Sequence, residues 1–472
     1  MPYTKNQFLR GLRCPKSLWL FKNKKEYIGN LGESSKIEIN QTEEVLTEAK
    51  KIFKGVEISG DFQTCLNQTK EIIKTDTKAI FNAVFFDSQI AVDIDILAKN
   101  NDSWWIILAK PSTSLKDEFI EEAAVCLYSA SKSVKISKVA IMCLNSEFTT
   151  QEPPLKRFIF EDITQKCVEL QGKIKRSVFV FDQVMLRNDF DTLSIGQQCE
   201  KPKFCDFMDY CFGVMPSFSI FELLDCDNKS ELFAKGIKTC FEYENSDLTI
   251  LQEVQLNSLK DGDGLILDKS VLKNFVTPDK MPINFLRLGT FSQAIPKFDK
   301  QKPFANTLYG YVLDIVEDGK VTQKYMVGNG IDDCRLELIK SLFVAINNGG
   351  DIYVWQRNRT YEILNNLATF APQIEVALNS IKSRIRAFSD VFEIGGYYNK
   401  MFKGRFSFGN ILSVIDPNIK FNDLVVKNDE EAGNYYLNFA KNDENHRLEL
   451  IKFLALTTYG MRVIFEEFKK NL

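Results

Sequence analysis

The run from residue 79 to residue 144 restricts the fold more than any other part of the sequence. Three strand-like segments, one helical pattern and one further strand follow one another at 79–86, 90–98, 104–109, 117–131 and 138–144. The strand-like segments are short apolar runs rich in Ile, Val and Phe, as expected for strands buried in a sheet. A β-β-β-α-β order predicts an α/β domain in which helices cover a mixed sheet.

A second α/β unit is predicted from Pro282 to the end of the chain. Its expected strands and helices lie at 283–288, 308–316, 324–328, 332–347, 351–355, 358–370 and 431–471. Residues 216–280 alternate short helical patterns with polar turns, which indicates a small helical connector. We therefore expect three segments along the chain: 1–215, 216–280 and 281–472.

The composition excludes several classes of protein. The 60 Lys and Arg residues are balanced by 63 Asp and Glu residues, so the net charge of −3 provides no bulk attraction for nucleic acid, and any such contact must be local. A single histidine, His446, excludes histidine-rich metal sites and Ser/His or Cys/His nucleophiles. No run approaches the roughly 18 apolar residues of a membrane span, and the first residues contain no apolar signal core. We expect a cytoplasmic protein with no membrane contact.

Four of the 11 cysteines are placed as a set of ligands. Cys199, Cys205 and Cys211 follow one another at equal spacing in one predicted loop, and Cys14 lies near the opposite end of the same domain. Four thiolates can hold an iron–sulfur cluster or a zinc ion. The absence of CxxC pairs favours the larger cluster, of the 4Fe-4S type, with zinc and unligated cysteines as alternatives. Most of the other cysteines fit small buried apolar residues.

With this cysteine frame, the sequence resembles a known group of nucleases. Cys14 precedes Pro-Lys-x-Leu-Trp, an α/β core follows, and three cysteines close the domain, as in the iron-staple nucleases with a PD-(D/E)XK core. The phrases DIDIL, AKPSTSLKDE and AIPKFDKQKPF are similar to those of a bacterial two-domain family, the domain of unknown function 2779. The resemblance spans nearly the whole chain. It implies a PD-(D/E)XK restriction-endonuclease-like domain followed by a ribonuclease-H-like DEDD exonuclease domain.

The resemblance implies an N-terminal metal site in which one ligand is missing. Family members carry an Asp on one strand and Glu-x-Lys on the next, around Mg²⁺ or Mn²⁺. Asp95 and Lys110 match this pattern, but Leu108 stands at the Glu position and cannot bind a hard cation. Acids that can substitute lie on the same strand or on the following helix: Asp93, Glu121 and Glu122.

The C-terminal metal-binding acids that the resemblance implies are all replaced. The family's opening strand reads Leu-Asp-Phe-Glu-Thr, and here Arg287 and Gly289 stand at its two acidic positions. The family's strand-then-helix phrase with Asn, Phe and Glu corresponds here to Gln356, Arg359 and Thr360, and two later Asp positions fall on Ala387 and Thr457. Without carboxylates, two divalent cations and a phosphate cannot be held in register. The resemblance therefore implies that the C-terminal fold is retained and that its metal-binding site is lost.

Several arginines lie near the implied C-terminal site, in a chain otherwise poor in arginine: Arg287, Arg357, Arg359, Arg384, Arg386 and Arg405. If their guanidinium groups converge, they can bind phosphate without a metal, because guanidinium pairs with two phosphate oxygens at once. The alternative is a set of ordinary salt bridges, which the sequence alone favours.

These observations lead to three hypotheses about function. The leading one is a degenerate, inactive relative of nucleases that binds single- or double-stranded nucleic acid, or that acts as a scaffold beside a DNA-processing protein. The second is an active metal-dependent nuclease that uses Asp95, Lys110 and a substitute acid around Mg²⁺ or Mn²⁺. The third is a structural adaptor that contacts only other proteins.

Overall fold

The computed structural model describes residues 2–29, 33–87, 89–190, 195–347, 349–438 and 443–472. The chain divides into two compact units. The first comprises Met1–Val214 with Gln293–Phe304, and the second comprises Met215–Ser292 with Ala305–Leu472. Residues 216–280, expected from the sequence to form a connector, thus fall within the second unit. The predicted mixed α/β architecture is confirmed, since both units combine helices with β-sheet.

The first unit is built around a sheet that has seven strands within the described residues. These strands are β1 (Tyr3–Thr4), β2 (Val56–Glu57), β3 (Ala79–Phe86), β4 (Ile90–Asn100), β5 (Ser103–Lys110), β6 (Ile136–Leu144) and β7 (Phe158–Asp162). The helices are α1 (Lys5–Arg13), α2 (Pro15–Asn23), α3 (Glu33–Lys50), α4 (Phe62–Ile72), α5 (Asp117–Ala130), α6 (Thr164–Met185) and α7 (Met208–Phe212).

The order of the first sheet explains why residues 79–144 are so apolar. It runs β2-β3-β4-β5-β6-β7, with β1 beside β4. Strands β3, β4 and β5 form an antiparallel meander, and β6 lies parallel to β5 after the crossover through α5. Both faces are covered: Leu108 packs towards α5 and α6, and the neighbouring Ile107 packs with Val45 of α3. The predicted β-β-β-α-β order is confirmed.

The start of α1 is held by a reciprocal pair of hydrogen bonds. The Thr4 hydroxyl accepts from the Gln7 N–H at 3.3 Å, and the Gln7 side chain accepts from the Thr4 N–H at 3.2 Å. This cap places Lys5 in the first turn of α1, where its side chain is buried against β4. Cys14 separates α1 from α2, and Pro15 favours the start of α2 because the first helical residue needs no N–H partner.

The second unit contains a sheet of five strands and a small two-stranded sheet within the described residues. Its strands are β8 (Leu265–Leu267), β9 (Ile283–Phe291), β10 (Thr307–Glu317), β11 (Lys320–Val327), β12 (Ile352–Val354), β13 (Ile385–Ala387) and β14 (Tyr397–Asn399). The helices are α8 (Lys229–Ala234), α9 (Ile250–Lys260), α10 (Lys269–Val276), α11 (Arg335–Ile346), α12 (Arg357–Phe370), α13 (Glu375–Lys382), α14 (Phe388–Glu393), α15 (Phe408–Ile415), α16 (Asp429–Leu437) and α17 (Glu444–Lys470).

Strand β9 lies at the centre of the larger sheet in the order β11-β10-β9-β12-β13. It pairs antiparallel with β10 and parallel with β12. Phe285 and Leu286 of β9 pack into cores on opposite faces of the sheet, so the strand is buried on both sides. Helices α16 and α17 pack against β9, and α12 begins directly after β12.

The structure differs from the predicted elements mainly where side chains are exposed. Strand β7 was not expected, because most of its residues are exposed at the sheet edge and leave no apolar run. The helical region expected at 431–471 is divided into α16 and α17. No helix within the described ranges is long and apolar enough to cross a membrane.

Candidate functional site

The four predicted ligand cysteines lie in one neighbourhood of the first unit. The thiol of Cys14 interacts electrostatically with that of Cys205, and the Cys211 thiol interacts with those of Cys199, Cys205 and Cys14. The Cys205 N–H donates to the Cys199 carbonyl at 2.7 Å, which folds the loop that carries them. The distant cysteine of the sequence is therefore brought to the three closely spaced ones.

Cationic side chains of α1 hold this cysteine loop in place. Arg10 donates two hydrogen bonds to the Asp206 carboxylate, both at 2.6 Å. Arg13 donates to the Gln198 carbonyl at 2.6 Å and also to the Lys203 carbonyl. Because a guanidinium has several donors in a rigid fork, the two arginines fix the loop on both sides of Cys205.

Burial makes the metal-free thiols poor anions. It raises the pKa of Cys14 and of Cys199, and it raises the pKa of Cys211 to about 11. Each neighbouring thiolate adds repulsion, so several thiolates at this place need a cationic group between them. Within the described part of the chain, no three Cys, His, Asp or Glu side chains are grouped so that they could hold a metal ion.

The N-terminal candidate site is a cluster of acids bridged by two lysines. Lys5 Nζ lies 2.8 Å from an oxygen of Asp93 and 3.2 Å from one of Glu122. Lys110 Nζ lies 2.6 Å from the other oxygen of Glu122. Of the predicted substitute acids, Glu122 thus joins Lys110, whereas Glu121 pairs with Lys173 at 2.7 Å outside the cluster.

Electrostatics in this cluster favour carboxylate–ammonium pairs. Burial alone would raise the pKa of Glu122, but Lys110 and Lys5 outweigh it and lower the pKa to about 2. Burial would likewise lower the pKa of Lys5, yet Cys126, Glu122 and Asp93 raise it well above its ordinary value. Both groups are therefore charged at neutral pH, and each compensates the other in a largely buried place.

Asp95 and Leu108 occupy the positions that the resemblance matched to a metal ligand pair. A side-chain oxygen of Asp95 accepts from the Ala109 N–H at 2.9 Å, and burial raises the pKa of this carboxyl despite the nearby Lys110 and Lys5. Leu108 is fully buried in the apolar core. The leucine thus packs as a core residue, and the oxygen donors near Lys110 come from β4 and α5.

The C-terminal candidate site contains an acid held between two arginines. Arg287 of β9 donates to one oxygen of Asp429, and Arg359 Nη1 lies 3.1 Å from the other. Arg359 also donates to the Thr290 hydroxyl at 3.3 Å. Burial would raise the pKa of Asp429, but the two guanidinium groups outweigh it and lower the pKa. Asp429, the first residue of α16, is therefore an ionised bridge.

The space beside Gly289 is filled by an aromatic ring. A Cβ atom at Gly289 would lie 2.5 Å from Cζ of Tyr309, much closer than carbon atoms approach. Tyr309 is 1% exposed and stacks on Tyr436 with ring centroids 4.8 Å apart. A longer side chain at position 289, such as the Glu that the resemblance implies, would need this ring to move.

Three other predicted positions of the C-terminal site, Thr360, Ala387 and Thr457, are buried, whereas Gln356 is exposed. The Thr360 hydroxyl donates to the Gln356 carbonyl at 2.7 Å, and the Thr457 hydroxyl donates to the Phe453 carbonyl at 3.0 Å. Ala387 is 1% exposed at the end of β13. Each hydroxyl donates its hydrogen to the backbone carbonyl four residues earlier, which is a common structural role of Thr in helices.

The arginines do not converge on a single point. Arg357 pairs with Asp390 at 2.6 Å, and Arg386 pairs with Asp279 and Asp351, both at 2.9 Å. Arg384 donates to backbone carbonyls, and Arg405 interacts electrostatically with Glu222. The salt-bridge alternative therefore describes most of them, and the exception is the Arg287–Arg359 pair around Asp429.

Three residues that matter in these sites were not anticipated from the sequence: Lys5, Tyr309 and Asp429. Lys5 is 88 residues from Asp93, and Asp429 is 142 residues from Arg287, so no local pattern connects them. The first turn of α16 reads Asp-Glu-Glu, which looks like an ordinary acidic helix start. Arg287, at a position where the resemblance implies an acid, was the available signal that a compensating acid lies nearby.

A Cβ atom at position 289 tests how tightly Tyr309 fills the site. We expect Gly289→Ala to lower the free energy of unfolding by about 1–3 kcal/mol, because the ring is packed on Tyr436 and cannot retreat freely. Urea unfolding measures the change. Gly409→Ala is the control, since no neighbouring atom lies within 4 Å of the position that its added Cβ atom would take. Equal stability of both variants would mean that Tyr309 does not occupy this space.

Because Glu122 forms ion pairs, we expect the stability of the folded protein to fall in a defined range of acidic pH. The carboxylate is stabilising above its ordinary pKa of 4.5, and this stabilisation is lost as the pH falls towards the folded-state pKa of about 2. We expect Glu122→Gln to remove on the order of 3 kcal/mol at pH 7 and to flatten this part of the acid unfolding curve. Glu121→Gln, one residue away, should keep the wild-type curve. Identical acid profiles for Glu122→Gln and wild type would contradict the pairing.

Comparison with known proteins gives one match. Residues 284–407 match the model of the family described as Domain of unknown function (DUF2779). No curated protein and no solved structure matches the chain. The matched segment contains Arg287, Gly289, Thr360 and Ala387, whereas the cysteine group, the lysine–acid cluster and Thr457 lie outside it. The chain is therefore similar, from β9 to the turn after β14, to the Domain of unknown function (DUF2779).

Proposed function

We propose that this chain is a catalytically silent relative of nucleases, which binds nucleic acid or supports a DNA-processing partner as a scaffold. The observation that carries the proposal is the pair Arg287 and Arg359, whose guanidinium groups share the Asp429 carboxylate. A two-metal hydrolase needs carboxylates around two divalent cations. At the implied C-terminal site, fixed cations take the place that the resemblance assigns to Mg²⁺.

The architecture of both units is compatible with the domains that the resemblance implies. The order helix, three antiparallel strands, helix and parallel strand from α4 to β6 suits a PD-(D/E)XK core. The second sheet, with β9 between an antiparallel β10 and a parallel β12, suits a ribonuclease-H-like unit. These likenesses support the proposed ancestry, while the activity depends on the side chains.

The side chains of the first unit also support the proposed absence of catalytic activity. Lys5 and Lys110 bring two ammonium groups to Glu122, and Lys5 also reaches Asp93. A divalent cation would have to displace Lys5, whose side chain is only 7% exposed. Leu108 adds apolar surface where the resemblance implies a third oxygen donor. We therefore assign no hydrolytic step to this cluster.

We further propose that Cys14, Cys199, Cys205 and Cys211 hold an iron–sulfur cluster, with zinc as the second choice. The four thiols lie in one neighbourhood, and burial and the neighbouring thiols raise the pKa of Cys14, Cys199 and Cys211, so this donor set needs a cationic centre to hold thiolates. When bound, the cluster would supply a covalent link between the α1–α2 junction and the loop 199–211. Arg10 and Arg13 already hold that loop, so the cluster would act as a structural staple.

An active nuclease is the second candidate, and one observation favours it. Glu122 lies beside Lys110, and Asp95 interacts electrostatically with both residues, so two acids and a lysine do meet. In this alternative, Glu122 replaces the oxygen missing at Leu108, and a metal displaces Lys5. The activity would then depend on Asp95 and Glu122 and would be independent of Asp429.

The nuclease assay separates the two candidates. We expect the purified protein to leave single- and double-stranded DNA and RNA intact with Mg²⁺ or Mn²⁺, because neither candidate site has a free set of carboxylates. Gel analysis of labelled strands measures cleavage. Degradation that disappears in both Asp95→Asn and Glu122→Gln, but persists in Glu121→Gln, would establish the active alternative and overturn the proposed silence.

The cluster proposal predicts a coloured protein. Anaerobic purification should give visible absorbance and bound iron, and Cys205→Ser should lose both because one of four ligands is removed. Cys65→Ser is the matched control, since Cys65 is a buried cysteine of the same unit outside the group. Zinc without iron would favour the second choice, and a metal-free wild type would refute the staple.

A further inference from the structure

Around Asp429, polar atoms remain that the ion pairs do not satisfy. Among the described residues, Arg287 Nε, Arg359 Nε and the Tyr309 hydroxyl are buried and have no hydrogen-bond partner. The two Nε atoms are donors, and the hydroxyl can also donate. All three residues interact electrostatically around the same carboxylate. Buried donors without acceptors are costly, so this cluster can accommodate a ligand that brings more oxygens than Asp429 offers.

The charge of the cluster points to an anion. Arg287 and Arg359 contribute two positive charges, and Asp429 contributes one negative charge, which leaves one positive charge uncompensated. A phosphate dianion would neutralise both guanidinium groups and presents more acceptor oxygens than a carboxylate does. By charge and by hydrogen-bonding capacity, the pair is therefore better matched to phosphate than to its internal acid.

A cavity gives access to this pair. It measures about 420 Å³, and its lining includes Asn306, Gln356, Arg359, Glu362 and Ser389. This volume lies in the range of small-molecule sites, and the polar lining offers hydrogen bonds to a sugar or a base. Arg359 lines the cavity and also contacts Asp429, so it connects the cavity with the buried acid.

We infer that Arg287 and Arg359 form a metal-free phosphate site that Asp429 occupies as an internal substitute for the ligand. The inference rests on the proposed function, because a catalytic pocket would need carboxylates at these positions. Glu362 and Glu393 also line the cavity, and their charges disfavour a second phosphate beside the first. The site therefore suits one terminal phosphate group, carried by a nucleic-acid strand or by a free phosphate.

The variant Asp429→Asn tests this site, because it removes the carboxylate that competes with phosphate for the two arginines. It keeps the size of the side chain and removes the competing charge, so we expect about tenfold tighter binding of phosphate than in wild type. The probes are inorganic phosphate, a short single-stranded oligonucleotide with a terminal phosphate, and the same strand without it. Calorimetry and fluorescence anisotropy measure affinity at one fixed salt concentration, because salt screens such contacts. Adding Arg359→Gln to Asp429→Asn should abolish the gain.

Asp390→Asn is the matched control, since Asp390 pairs with Arg357, which also lines the cavity, and the variant therefore frees an arginine outside the Arg287–Arg359 pair. A gain with both phosphate-bearing probes supports the site, and a gain restricted to the phosphorylated strand identifies a strand terminus as the ligand. An equal gain in Asp390→Asn, or none in a folded Asp429→Asn, would overturn the inference. Cleavage of the strands by wild type would refute the silent function instead, so the two failures are distinguishable.

Discussion

A charged side chain shared between two partners of opposite charge is the interaction on which both candidate sites depend. In the first unit, Lys5 and Lys110 compensate Glu122 and Asp93, and in the second unit Arg287 and Arg359 compensate Asp429. Charges in such poorly hydrated places are tolerated only as complete sets, because the removal of one member leaves another uncompensated. The surrounding strands and helices must therefore hold the members of each set together.

The two sets have opposite consequences for chemistry. The cluster around Glu122 still offers oxygen atoms, so a hard cation could in principle compete with the ammonium groups. Around Asp429 the donors outnumber the acceptors, and an anion is the natural competitor. Under the proposed function, the second unit no longer binds metal ions and instead binds the phosphate group directly. Binding without turnover is the outcome that this exchange favours.

Much of the fold could be predicted from the sequence, because buried strands such as β3–β6 and β9 leave continuous apolar runs. Strand β7 left none, since its side chains are largely exposed. The meeting of Cys14 with the loop 199–211 followed from the resemblance. The partners Lys5 and Asp429 could not be predicted, because pairs separated by 88 and 142 residues depend on the tertiary structure. Local sequence revealed which ligands were missing, but not which residues had replaced them.

The ring of Tyr309 beside Gly289 bears on how this protein can evolve. Under the proposed ancestry, the Tyr309 ring fills the space of a lost acid, and a change of Gly289 back to an acid meets a steric barrier before it can bring any benefit. Recovery would need coordinated changes at several sites, each neutral or harmful alone. Such packing makes the return of an acid at position 289 difficult, so the protein is restricted to roles that the filled space permits.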